Sequence, residues 1–167
     1  ASAVKRSENK YNGHYAALIR HIGHGVANTN VGSFLGMNGS ITGTHTIGIL
    51  SYSGDFQVRP TKVKFYYRYI PEGDDVGVIE LKIENEDQDQ DVILYEATNV
   101  VSKTEYQLYE ITINYMVENV VATKLTLTLK SGSKHTNVVK AKVRGNGADE
   151  HYGSELYIDD ISLVYDK

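Results

Sequence analysis

Gly153-Ser154-Glu155-Leu156-Tyr157-Ile158-Asp159-Asp160-Ile161-Ser162-Leu163-Val164-Tyr165 reads as a β-strand interrupted by two adjacent carboxylates. Strands disfavour Asp, and a buried unpaired charge costs several kcal/mol or neutralises itself. Asp159 and Asp160 therefore need partners. Side chains alternate along a strand, so one of the two is expected to point inward and the other outward.

The same period of two recurs upstream. Val63, Phe65, Tyr67 and Tyr69 alternate with Lys62, Lys64, Tyr66 and Arg68. Ile79, Leu81 and Ile83 alternate with Val78, Glu80, Lys82 and Glu84. Tyr109, Ile111, Ile113 and Tyr115 alternate with Leu108, Glu110, Thr112 and Asn114, and Leu125, Leu127 and Leu129 with Lys124, Thr126, Thr128 and Lys130. These are half-buried strands with polar outer faces. Val138–Val143, Tyr15–Ile22 and Thr44–Leu50 add further strands. Turn chemistry at Pro71–Asp75, Ser131–Ser133 and Arg144–Gly147 separates them, and no segment has the period of an amphipathic helix. Short strands, Gly-rich turns and no helical crossovers predict an all-β fold, an antiparallel sandwich of jelly-roll topology.

A chain of 167 residues fits one domain spanning 1–167, large enough to bury roughly 70% of its unfolded surface. A net charge of −4 argues against nucleic acid or an anionic membrane surface as partner. No run of 18 apolar residues exists to span a bilayer as a helix. Cysteine is absent, which excludes disulfides and thiol catalysis. The start at Ala1-Ser2, with neither a signal peptide nor an initiator Met, is expected of a piece of a longer polypeptide. Between Gly23 and Gly54 glycines are dense and large apolar residues few, which fits either a long connection with short edge strands or a loop forming one wall of a ligand site.

Two segments, Arg59-Pro60-Thr61-Lys62-Val63-Lys64-Phe65-Tyr66-Tyr67-Arg68-Tyr69-Ile70-Pro71 and the terminal Gly153–Tyr165, resemble signature segments of the carbohydrate-metabolism domain family, found at the C-terminal end of secreted or surface-anchored bacterial proteins. More broadly the chain resembles jelly-roll carbohydrate-binding modules, in which an early segment runs into a strand, as Tyr11-Asn12-Gly13-His14-Tyr15-Ala16-Ala17 does, and the last strand carries an Asp-Asp or Asp-Asn pair. The resemblance implies an extracellular or cell-surface C-terminal domain of a larger protein, with a glycan connection and no catalytic residues to carry over. The acidic pair has one of two roles, the first implied by the resemblance and the second by the chemistry of Asp alone. Asp159 and Asp160, with Glu8 and oxygens of Ser7 and Asn9, would hold a structural Ca²⁺ that pins the chain ends, or an Asp would accept backbone amides of a neighbouring loop.

Other candidates follow from residue chemistry. Sugars stack their C–H faces on aromatic rings and take hydrogen bonds from planar polar groups. Tyr66 and Arg68 face outward on one strand, and Glu80 and Lys82 on its expected hairpin partner, which together would make one platform. Tyr52, Tyr95, Tyr106 and Tyr152 near expected strand ends would stack as well, or would cap the core with their hydroxyls at the surface. Asp87, Asp89 and Asp91 have the spacing of the first ligands of an EF-hand loop, but Val92 stands where Gly is needed and Thr98 where Glu is needed, so a solvated hairpin end fits better. His21 and His24 are three apart, which on a strand puts them on opposite faces and does not build a zinc site with His14 or His45. Asn38-Gly39-Ser40 matches a glycosylation acceptor.

Three functional classes follow. The first is non-catalytic glycan binding. The second is a structural or adhesion sandwich with no sugar site. The third is a glycoside hydrolase, which would need two carboxylates about 5–9.5 Å apart across a cleft; Glu80, Glu84, Glu110, Glu118 and Asp159 are available, and nothing in the sequence pairs any two of them.

Overall fold

The computed structural model describes residues 3–28, 40–55, 57–86, 91–133, 138–140 and 152–165, with only the backbone described for 23–28, 40–46, 138–140 and 152. Among these residues every ladder is antiparallel and no helix occurs. Eleven strands form two sheets: β1 (Val4–Ser7), β2 (Ala16–Asn28), β3 (Ser40–Thr46), β4 (Ile49–Asp55), β5 (Lys62–Ile70), β6 (Gly77–Asn85), β7 (Val92–Val101), β8 (Gln107–Thr112), β9 (Lys124–Lys130), β10 (Val138–Lys140) and β11 (Tyr152–Val164). The larger sheet has the order β10-β3-β2-β11-β5-β8, with β1 also on β2; the smaller has the order β4-β9-β6-β7. The final strand thus lies in the middle of its sheet, between β2 and β5.

Alternation sets the core. Val63, Phe65, Tyr67 and Tyr69 of β5 are buried against Ile79, Leu81 and Ile83 of β6 and Leu125, Leu127 and Leu129 of β9, joined by Ile19, Leu156 and Ile158. A slip of one residue in any of these strands would turn its apolar set to solvent, so the pattern fixes the register.

The expected hairpin between β5 and β6 does not form. β5 pairs with β11 and β8, and β6 with β7 and β9. Residues Pro71–Val76 carry the chain from one sheet to the other, turning through Gly73 at φ +66°. The arch lets the apolar faces of both strands pack on each other, which a hairpin within one sheet would not do. The expected strand Thr44–Leu50 is likewise two: it breaks at Ile47–Gly48, where the chain leaves β3 and enters β4 in the other sheet. Only glycine fits at position 48, because a Cβ there would collide with the backbone of Arg20. β8 stops at Thr112, and the amide of Ile113 turns to the carbonyl of Thr61. In the glycine-dense stretch β2 continues to Asn28 and pairs with β3; residues 29–39, with Asn38, lie outside the described residues, as do 141–151.

The terminal strand carries a bulge. Asp159 pairs with Tyr66 and Ser162 with Lys64, so β11 uses one more residue than β5 over this interval. Asp160 takes up the excess at φ +49°, a conformation that Asp tolerates better than branched residues do. The expected inward–outward alternation of the acids fails for this reason. Asp159 lies on the outer face, in register with Tyr66, and Asp160 is exposed on that same side beside it.

Candidate functional site

The outer face of β5, β8 and β11 is crossed by the segment between β1 and β2, and Asp159 is the reason that segment lies there. Its Oδ2 accepts the amides of Tyr11 at 2.9 Å and Asn12 at 3.0 Å, and its Oδ1 accepts the amide of Asp160 at 2.9 Å. Three of about four acceptor positions on the carboxylate are thus taken by N–H groups. The Asn12 side chain donates to Asp160 at 3.3 Å, and the Tyr106 hydroxyl to the Asn9 carbonyl at 2.9 Å. Burial, then the nearby Asp159 charge, pushes the Tyr106 phenol up to about 12. This is the hydrogen-bonded alternative for the acidic pair. A calcium shell needs six to eight oxygens facing one point. Here N–H donors face Asp159, and Glu8 is exposed.

The crossing segment places Tyr11 on Tyr66. The ring centroids are 3.5 Å apart and the planes 9° from parallel. The Tyr66 phenol is raised above its ordinary value, first by a hydrogen bond with the Tyr11 hydroxyl and then by desolvation. Beside the pair runs an open groove of about 480 Å³, bordered by Lys64, Tyr66, Leu108, Asp160, Ile161 and Ser162. Tyr66 borders it and Tyr11 does not, so Tyr11 backs the ring and leaves the rest of it toward the groove. Lys64 is ion-paired with Glu110, whose carboxyl is held below the usual carboxylate range first by that hydrogen bond.

The expected platform is divided by the fold. Arg68 shares the outer face with Tyr66, but its Nε donates to the Thr104 carbonyl at 2.9 Å and its guanidinium lies 5.7 Å from the Tyr157 ring centre. Glu80 and Lys82 are on the outer face of the other sheet, on the far side of the core. There they border a separate depression of about 280 Å³ with Glu96, Thr98, Thr126 and Thr128. Glu80 is paired with Lys130, and Lys82 with Glu84 at 2.8 Å. Tyr52 and Tyr95 fall within strands β4 and β7, on the faces that pair with Leu127 and Ile83. The Tyr95 hydroxyl reaches the Thr112 carbonyl at 3.3 Å, as a capping tyrosine does. The side chain of Tyr152 lies outside the described residues.

The remaining candidates resolve as follows. Residues 87–90 of the acidic run lie outside the described residues; carboxylates of Glu84, Glu86 and Asp91 converge within 4.8 Å, with Lys82 and Lys124 on the first two. His21 is buried in a polar cluster at the end of the sandwich, and the side chains of His24 and His45 are not described. In that cluster Asp75 accepts the Ser133 amide at 2.8 Å, the Ser154 hydroxyl at 2.8 Å and the Val76 amide at 2.9 Å. Burial pushes the Asp75 carboxyl up, but these hydrogen bonds outweigh it and hold the group below its ordinary value. Ser131 Oγ and Asp75 Oδ2 both lie nearest His21 Nδ1, at 3.4 and 3.9 Å. A nucleophile relay needs them on opposite ring nitrogens, an arrangement these contacts do not make.

Sequence reasoning missed Tyr11. Its one signal was position: a tyrosine before the Asn12-Gly13 turn, in the segment expected to meet the last strand.

No family model matches the chain, and no curated protein does. Solved structures do. A family 16 carbohydrate-binding module superposes with a TM-score of 0.53 at 9% identity, over 99% of this chain and 87% of that one. The module TmCBM61, solved in complex with β-1,4-galactotriose, gives 0.49 at 16% identity over 98% and 83%. A family 11 module from Clostridium thermocellum, in complex with a β-1,3-1,4-mixed-linked tetrasaccharide, gives 0.44 at 8% identity over 96% and 81%. At 9% identity the first of these speaks to fold alone: the chain has the antiparallel jelly-roll sandwich of carbohydrate-binding modules.

Proposed function

We propose that the chain is a non-catalytic carbohydrate-binding domain of a secreted or cell-surface protein, and that it takes its glycan in the groove beside Tyr66. The observation that carries this reading is one aromatic ring, backed by Tyr11, at the wall of an open groove with polar groups at its rim. A pyranose would lay its C–H face against Tyr66 and the apolar floor of Leu108 and Ile161, while Asp160, Ser162 and Lys64 meet its hydroxyls. The volume is within the usual range of small-ligand sites. A structural neighbour with a TM-score of 0.53 is itself a carbohydrate-binding module.

A glycan-array screen tests it, with retention measured for wild type, Tyr66→Ala and Lys82→Ala. Wild type and Lys82→Ala should retain the same glycan, since Lys82 lies across the core, and Tyr66→Ala should lose it with little change in melting. A wild-type domain that retains no glycan would sink the reading. The structural or adhesion alternative draws on the other sheet: the outer sides of β6 and β9 present paired Glu and Lys with Thr126 and Thr128, and no ring.

A further inference from the structure

The stacking of Tyr11 on Tyr66 is closer than ring packing ordinarily gives. Aromatic pairs usually settle offset or edge-on, with centroids about 4.5–7 Å apart. Here they are 3.5 Å apart and nearly parallel, 9° between planes. Nearly parallel rings at this spacing bring the ring carbons of one tyrosine close to those of the other. Tyr106 stands 6.2 Å from Tyr11, tilted by 53°, and so lacks this alignment.

The composition favours oxidation at tyrosine. The chain has no cysteine and no tryptophan, so among its side chains tyrosine gives up a single electron most readily. Tyr11 is 49% exposed, which makes it reachable by an oxidant in solution. The two residues belong to elements that no ladder joins: Tyr11 to the segment between β1 and β2, and Tyr66 to β5.

We propose that Tyr11 and Tyr66 are an oxidative cross-linking site, coupled into a dityrosine by hydrogen peroxide acting through a peroxidase. Each phenol loses one electron and its proton. The two unpaired electrons combine in a new carbon–carbon bond between positions ortho to the oxygens. Each coupled carbon then releases its hydrogen, and each oxygen regains one, so both phenols are restored. In balance two electrons and two protons leave the pair, and one hydrogen peroxide accepts them to become two waters. The bond would fix the crossing segment to β5 covalently in a chain with no disulfide. It would also close a loop in the unfolded chain, which raises stability. The site stands on the ring geometry and is independent of the glycan reading.

The test is peroxidase with hydrogen peroxide on the dilute folded protein, read by intact mass, dityrosine fluorescence and peptide mapping. The expected product is a monomer lighter by two hydrogens, with one cross-linked peptide pair joining Tyr11 to Tyr66 and a higher melting temperature. Tyr11→Phe and Tyr66→Phe keep the ring packing and should each abolish the link, with melting curves to confirm folding; Tyr106→Phe should leave it in place. Links that map to Tyr106 or to other tyrosines, links only between two copies, or no dityrosine in the folded wild type would each overturn the proposal.

Discussion

Replacing Asp159 with alanine removes the acceptor that holds the crossing segment, and the structure sets the size of the effect. Two hydrogen bonds from that segment are lost, from the Tyr11 amide at 2.9 Å and the Asn12 amide at 3.0 Å. A hydrogen bond to a charged group is worth roughly 1.5–3 kcal/mol, so the pair sets a ceiling of about 6 kcal/mol. Both donors are on exposed residues, and water reclaims the freed amides, so about half of that ceiling, roughly 2–3 kcal/mol, should be lost. For a chain of this size the melting temperature then falls by about 5–10 °C. Thermal melting measures the total, and hydrogen exchange at the Tyr11 and Asn12 amides locates it: both should lose protection in Asp159→Ala. A variant melting within about 2 °C of wild type, with both amides still protected, would refute the clasp. A chelator arm separates amides from a cation. Calcium bound only by the folded state would stabilise it, so a wild-type melting temperature that drops in chelator would reassign Asp159 to a metal; we expect no drop.

Three more outcomes are expected. Asp75 titrates below its ordinary value when folded, so its stabilisation is complete above the unfolded pKa of about 3.9 and is lost as pH falls through the folded one; melting against pH should show a steeper acid limb in wild type than in Asp75→Asn, which is less stable near neutrality, and parallel limbs would contradict this. Gly132→Ala puts a Cβ onto the Asp75 carboxylate and the His21 ring, and urea titration should show a loss of at least about 1–3 kcal/mol. At Asp160, φ +49° makes valine about 1–2 kcal/mol worse than glycine, a difference that the same titration measures and that equal stabilities would rule out.

Much of the fold was legible because the central strands bury only one face. β5 and β9 alternate throughout and β6 does so from Ile79 to Ile83, and a period of two is the signal that survives without tertiary information. β7 was illegible because its apolar residues do not follow its faces: Ile93 and Val100 are exposed, and a bulge at Leu94 shifts the register between Ile93 and Tyr95. The division of Tyr66 and Arg68 from Glu80 and Lys82 was illegible for another reason. A connector with Pro71, Gly73 and Asp74 suits a hairpin and an arch equally, and only the packing of two apolar faces decides between them. Asp159 was half legible: the need for partners follows from its chemistry, but the amides that satisfy it come from residues 11 and 12. The bulge that turns Asp160 outward has no glycine to announce it.

The position of β11 has a consequence for synthesis. Tyr11 and Asp159 are separated by 148 positions, and β11 is the strand that joins β2 to β5. At about 5–20 residues per second, β2 waits on the ribosome for about 7–30 s before its neighbour is made. Until then one long edge of β2, and of β5 once it is made, is open to foreign strands, and among the described strands the larger sheet lacks the one that joins β2 to β5. Closure of so distant a pairing is slow even in the finished chain. A nascent chain halted before residue 152 should therefore be a target for chaperones that bind extended segments, and release from them should coincide with insertion of the last strand.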